Sequence, residues 1–363
     1  MRGEPMHHPF ITIDLNKITA NTRAIAELCR SNGVTLTGVT KGTCADISVA
    51  KAMVAGGASI LGDSRVQNLK KLKDAGIEVP LMLLRIPMLS EVEDTVRYAD
   101  FSLVSELSTI AALSRAAKHA GMRHKIIQMV DMGDLREGIS PQKILPHIHE
   151  LLRQPGIELV GLGTNFACYG GLIPTPASLE ALIGVANEVR NASSLDLPII
   201  SGGNSANISL LSAGLHPRGI SNLRIGEGIL LGRETVNRNP ITDTRQDAFT
   251  LHTEIVEIQE KPSLPFGQTG QDAFGRRPSF VDRGIRKRAI VAIGRQDVEI
   301  DGLTPLDPGV EILGGSSDHL ILDVGDCEAR LAIGDELRFG LQYSALVPAM
   351  MSPYVAKRYA NKQ

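Results

Sequence analysis

Several absences narrow what this chain can be. No apolar run approaches the ~20 residues of a membrane span, and the opening Met1-Arg-Gly-Glu-Pro-Met-His-His8 lacks the hydrophobic segment of a secretion signal. A soluble cytoplasmic protein is expected, with His7 and His8 in an exposed arm. Neither sign of charge dominates: 38 basic residues face 40 acidic ones, a formal net charge of -2. Nucleic acid and anionic membranes are therefore poor partners, and a small molecule is the better expectation. Cys29, Cys44, Cys168 and Cys327 are scattered without CxxC or CxxH spacing, so neither a zinc site nor a disulfide framework is indicated. No metal is expected, and Cys44 reads as a small buried residue. No internal repeat or low-complexity tract appears, and no GxGxxG opens the first helix, which weakens an open dinucleotide-binding sheet.

What is present is length and alternation. With 363 residues and 43% apolar content, the chain exceeds the size at which one core usually suffices, so two domains are expected. An extended segment, Phe10 to Leu15, leads into a helical pattern at Ile18, Asn21, Ile25, Leu28 and Cys29. Strands are then expected at 35–40, 59–61, 80–84, 101–104, 125–130, 159–162, 199–201 and 223–225, with amphipathic helices between them. Short apolar strands at roughly twenty- to thirty-residue spacing, each followed by a helix, are the pattern of a TIM-like (β/α)8 barrel. The polar stretch from Asn237 to Asp247 contains Asn-Pro, and helical periodicity disappears beyond it. The boundary is set there, with a barrel over 1–236 and a mostly-β domain over 237–363. Within the second domain, 264–284 is rich in Gly, Pro and charge and reads as a long loop between strands.

Lys41 is the residue most in need of explanation. The β-branched run Val34 to Thr40 ends in this lysine and then Gly42, which delivers a primary amine to the carboxyl end of a barrel strand, where such folds do their chemistry. Partly dehydrated by barrel walls, that amine could attack an aldehyde as Schiff-base lysines do. A lone strand-end lysine is more often a solvated loop residue, so other residues must support the assignment. Two later strands run into glycine-bearing loops, Ile200-Ser-Gly-Gly-Asn204-Ser205-Ala-Asn207 and Asn222-Leu-Arg224-Ile-Gly226-Glu227-Gly228. In barrels the loops after the last two strands often bind phosphate. Arg224 sits just before the second loop, at a strand position that faces inward or toward a ligand.

These segments, together with "PFITIDLNKITANTRAI", "GDSRVQNLKKL", "VDMGDLREG", "GTNFA", "DAFG", "GRQD" and "SPYVAKRY" in this order, resemble the fold-type III pyridoxal-phosphate enzymes. That is the alanine racemase superfamily, and the likeness is strongest to its ornithine and lysine racemase branch. The resemblance spans nearly the whole chain. It implies pyridoxal 5'-phosphate held by Lys41, which would also act as one catalytic base. It implies phosphate binding by Ser205, Gly226 and Tyr354, with Asn204 and Glu227 adjoining, Asn165 near the ring and Arg224 facing the pyridine nitrogen. Arg136 matches an arginine close to the cofactor's phenolic oxygen. An arginine cannot protonate the ring nitrogen, which suits brief removal and return of one proton rather than decarboxylation. A homodimer is implied by the same kinship.

Two departures stand out. Alanine racemases carry a modified lysine seven residues before that arginine, where this chain has Met129. Their second-domain tyrosine base has no clear counterpart, since Leu264-Pro-Phe266-Gly267 offers phenylalanine. A base on the opposite face is still needed. The candidates are Asp272, Asp297, Asp318 and Tyr343; Asp272 and Tyr343 are taken as catalytic and Asp297 and Asp318 as substrate-binding, with Asp272 and Asp297 the alternatives for recognising a substrate ammonium. The expected function is racemisation of a basic amino acid, ornithine or lysine. The alternatives are a non-catalytic pyridoxal-phosphate carrier, which would end after the barrel, and a basic amino acid decarboxylase, which Arg224 disfavours.

Overall fold

A computed structural model describes residues 7–360. The chain forms two compact units: one runs from Leu15 to Gln246, and the other combines the residues up to Asp14 with those from Asp247 onward.

The first unit is the expected barrel. Its strands are β2 (Thr35–Val39), β3 (Ile60–Asp63), β4 (Leu81–Leu83), β5 (Phe101–Val104), β6 (His124–Met129), β7 (Ile157–Gly163), β8 (Ile199–Ser201) and β9 (Asn222–Ile225). All pair in parallel with their neighbours, and β9 closes the ring on β2. Each expected barrel strand has its counterpart here. Alternation along β6 shows why these runs are apolar on both sides. Ile126 joins a core shared with Leu113, Ile148 and Leu182 of the surrounding helices, whereas Ile127 and Met129 belong to a second cluster with Met82, Leu103 and Val160 from neighbouring strands. Helix α1 (Leu15–Ser31) buries Ile18, Asn21, Thr22, Ile25 and Cys29 at three- and four-residue steps. Buried Asn21 is fully used: its amide donates to Ile229 O at 2.9 Å and Arg245 O at 2.8 Å, and its oxygen accepts the Arg245 N–H at 2.6 Å. The side chain of one helix thereby ties down the end of the barrel chain.

The second unit is built on β10 (Phe249–Pro262), a 14-residue strand with a register shift between Ile255 and Glu257. Its first half pairs with β1 (Phe10–Asp14) and β15 (Glu336–Leu341), its second half with β11 (Ile285–Val291). Beyond these lie β12 (Leu303–Pro305), β13 (Glu311–Gly315), β14 (Leu320–Asp323) and β16 (Ala356–Ala360), the last parallel to β1. Three features differ from the sequence reading. The boundary falls at 246/247 rather than 236/237, because Asn21 and Gly232 hold the polar stretch against the barrel through Arg245 and Ile241. The first strand belongs to the β unit, where its partners are β10 and β16. His8 also departs from the exposed-arm expectation: its ring is 9% exposed, and Nε2 lies 3.0 Å from Glu336 Oε2.

Candidate active site

Parallel strands put all their carboxyl ends on one rim, so the residues after β2, β3, β6, β7, β8 and β9 face the same mouth. Lys41 follows β2 and is exposed. The barrel walls do not dehydrate it, contrary to expectation, and its amine makes no hydrogen bond or ion pair among the described residues. On one side stands Asp63 at the end of β3, fully buried; its carboxylate accepts from Thr40 Oγ1 at 2.7 Å, Asn68 Nδ2 at 2.9 Å and the Arg65 N–H at 3.0 Å. Burial raises the Asp63 pKa against the pull of these bonds and of the Lys41 charge. On the other side is β9, paired with β2 so that Arg224 lies opposite Thr37. A Cβ added at Gly226 would press to 3.1 Å from Val39 Cβ, so the loop after β9 lies directly against the Lys41 strand.

Arg224 is 4% exposed. Its guanidinium donates to Thr164 O at 2.7 Å, to Asn165 Oδ1 at 2.6 Å and to Ser201 Oγ. All three acceptors are neutral. Burial lowers its pKa to about 10, with the Glu137 carboxylate working in the opposite direction. The group remains a cation at neutral pH and presents N–H donors only. Asn165 is bound on its other side as well: Nδ2 donates to Glu137 Oε1 at 2.5 Å, and Glu137 Oε2 meets Arg136 Nη1 at 2.8 Å. The barrel thus joins Arg136, Asn165 and Arg224 from three strand ends into one chain of bonds.

Of the phosphate candidates, Ser205 is buried and accepts the Gly228 N–H at 3.2 Å. Asn204 is occupied as a brace: its oxygen caps Ala206 N at 2.9 Å, and its amide donates to Phe166 O at 2.7 Å and Cys168 Sγ at 3.1 Å. Glu227 is ion-paired with Arg238, while burial raises its pKa.

The remaining candidates lie in the β unit. Asp272 Oδ1 accepts the Phe274 and Arg276 N–H groups at 2.9 and 2.8 Å, an Asx-turn arrangement. The Arg276 backbone bond, then that of Phe274, outweighs its slight burial and holds its pKa low. Asp297 is half-buried and accepts from Ser352 Oγ at 2.6 Å. Asp318 is exposed and accepts from Ser317 Oγ at 2.8 Å. Tyr343 opens the helix Tyr343–Met351 and is half-buried, and Tyr354 is 75% exposed.

Four residues central to this arrangement were not singled out from sequence: Asp63, Glu137, Thr164 and Ser201. Asp63 and Glu137 stand inside two of the recognised segments, "GDSRVQNLKKL" and "VDMGDLREG", so a closer reading of charge within those segments could have found them. Thr164 acts through its carbonyl and Ser201 as a strand-end hydroxyl, and neither leaves a sequence signal.

The family described as "Alanine racemase, N-terminal domain" matches residues 13–233. An ornithine racemase from Acetoanaerobium sticklandii is 48% identical over 351 residues, spanning 96% of this chain and 99% of the relative. A lysine racemase from Thermotoga maritima is 43% identical over 354 residues, spanning 98% and 99%. Among solved structures, alanine racemase from D-cycloserine-producing Streptomyces lavendulae superposes with a TM-score of 0.74 over 99% of both chains at 17% identity, a likeness of fold. The chain belongs to the alanine racemase family. Both near-full-length relatives are racemases, so it is an isomerase of that class, and the carrier and decarboxylase alternatives fall away.

Proposed function

We propose that the protein is a pyridoxal-phosphate-dependent racemase interconverting the L and D forms of a basic amino acid, ornithine or lysine. The observation that carries this reading is the buried Arg224 guanidinium, held by neutral oxygens one strand away from the unbonded Lys41 amine. The substrate class rests on the near-full-length similarity to racemases named for ornithine and lysine. Kinship also supports a homodimer in the cytoplasm.

The rim has the donors such a cofactor needs. Ser205 Oγ accepts one N–H and keeps its own proton for a phosphate oxygen. Thr164 Oγ1, beside Arg224, is buried without a partner among the described residues. Lys41 would hold the cofactor through its amine, Ser205 with the backbone around Asn204, Gly226 and Glu227 would bind the phosphate along with Tyr354, and Asn165 and Arg224 would hold the ring. Bound there, pyridoxal phosphate supplies the electron sink that makes the substrate's Cα proton acidic.

The chain's own part is proton transfer and orientation. Lys41 moves the Cα proton on one face. Arg224 would donate N–H groups to the ring without giving up a proton, which suits return of the single Cα proton rather than a diverted reaction. Arg136 would hold the cofactor's phenolic oxygen. The opposite face needs a second proton carrier. We keep Asp272 and Tyr343 for it, since a carboxylate with a lowered pKa is a proton acceptor and a phenol a proton donor, and Asp297 and Asp318 for the substrate.

The test is chiral chromatography of L-ornithine, L-lysine and L-alanine incubated with the holoprotein. D-ornithine or D-lysine should form fastest, and Lys41→Ala should slow this by roughly 10⁴-fold, the upper range for a general acid–base group. A Lys41→Ala protein that racemises at the parent rate would overturn the assignment.

A further inference from the structure

The barrel mouth contains a carboxylate that the proposed reaction does not use. Glu137 follows Arg136 on the loop after β6, and its side chain is 14% exposed while that of Arg136 is 43% exposed. Each of its oxygens has a different partner: Oε1 takes the Asn165 amide at 2.5 Å, and Oε2 takes Arg136 Nη1 at 2.8 Å. Because Asn165 gives its N–H to Glu137, its oxygen is the atom turned toward Arg224, at 2.6 Å. Met129 at the end of β6 has no charge to offer Arg136 and is buried in the apolar cluster with Ile127 and Met82.

We propose that Glu137 is the positioning residue of this mouth: one carboxylate fixes Arg136 and the Asn165 amide together, and through Asn165 sets the orientation in which Arg224 meets the cofactor ring. The assignment rests on the function proposed above. A carboxylate is the side chain this place requires, because both neighbours donate and two acceptor oxygens are needed at once. Its charge also offsets the crowding of Arg136 and Arg224, two cations in one mouth. A glutamine side chain at the same position can accept from only one neighbour and turns a donor toward the other.

That asymmetry gives a swap test. In Glu137→Gln one bond is lost; in Asn165→Asp two carboxylates face each other. The double variant E137Q/N165D moves the amide to position 137 and the carboxylate to position 165. The relocated amide accepts from Arg136 and donates to the relocated carboxylate, which still accepts from Arg224, so all three bonds return. The readouts are the visible absorption band of the bound cofactor, its dissociation constant, and kcat and KM for the amino acid the parent racemises. Each single variant should shift the band and lower kcat about a hundredfold, the scale of a misplaced reacting group, with a smaller change in KM. The double variant should regain about tenfold over the worse single variant, together with the parent band, as expected of a direct pair. Should Asn165→Asp fail to fold, Glu137→Leu, which offers no acceptor, should fall below Glu137→Gln in kcat and shift the band further. A Glu137→Gln protein with parent kcat and band overturns the assignment, as does a double variant no better than the worse single one. A parent protein that racemises nothing would instead defeat the function itself.

Discussion

Arg224 in the barrel and Arg286 in the β unit carry the same guanidinium under opposite conditions. Arg286 lies between two carboxylates, Asp323 at 2.9 Å and Asp326 at 2.6 Å, whose hydrogen bonds push its pKa up. Among the described residues Arg224 hydrogen-bonds to neutral oxygens, and burial pulls its pKa down to about 10. The first arrangement clamps the end of a sheet where water shares the load. In the second, the protein has desolvated a cation without neutralising it by direct contact, a cost that a folded chain bears where the charge is needed for something else. The β unit repeats the first arrangement at Arg283 with Glu311 and at Arg338 with Asp307. The barrel repeats the second with Asp63, a buried carboxylate bonded to neutral donors.

The contrast can be broken most severely at Arg224. Arg224→Ala leaves the Thr164 carbonyl, the Asn165 oxygen and the Ser201 hydroxyl without their donor, and urea unfolding should show a loss of about 3 kcal/mol, the scale of stranded buried acceptors. A loss too small to measure would mean that water reaches the site and that the charge is not buried in solution.

Asp63 sharpens the comparison through its pH dependence. Its folded pKa is raised, so its contribution is full below the ordinary carboxylate pKa and is lost as pH rises through the raised value. Asp63→Asn keeps the geometry and removes the charge. Urea midpoints taken between about pH 4 and about pH 8 should move in favour of the variant as pH rises; a constant gap would contradict a buried charge.

Glu336 should behave in the reverse sense. Burial acts to raise its pKa, but the bonds to His8 at 3.0 Å and His252 at 2.7 Å prevail and hold it low. A lowered folded pKa means stability present above the unfolded value and lost as pH falls through the folded one. Thermal melts from about pH 7 down to about pH 3 should therefore decline less steeply for Glu336→Gln than for the parent. The smallest effect is expected at Glu311: removing it with Glu311→Ala should leave the melting midpoint within measurement error, because both partners are exposed. A clear drop there would show that the exposed pairs also bear load and that the two units differ less than their geometry suggests.

The barrel was readable from local pattern because each of its strands is a short apolar run bounded by turn residues, from 35–40 to 223–225, and burial on both faces needs nothing more distant than that. Lys41 was likewise visible, since a polar residue closing a β-branched run marks a strand's carboxyl end, and Ser205 and Arg224 stood out beside the glycine-bearing loops of the last two strands. The first strand was visible as a strand only. Its partners β10 and β16 lie more than two hundred residues away, and no local pattern tells an edge of one sheet from the first stave of a barrel.

Local chain preference therefore determined the elements, their order and the rim on which the amine and the arginine stand, because periodicity and turn chemistry act over a few residues. Only the folded chain decided which groups share a proton or a charge. Asn165 lies 59 residues from Arg224 and 28 from Glu137 in sequence, and hydrogen bonds act over about 3 Å. That mouth became one connected network when barrel closure brought the ends of β6, β7 and β9 within that reach.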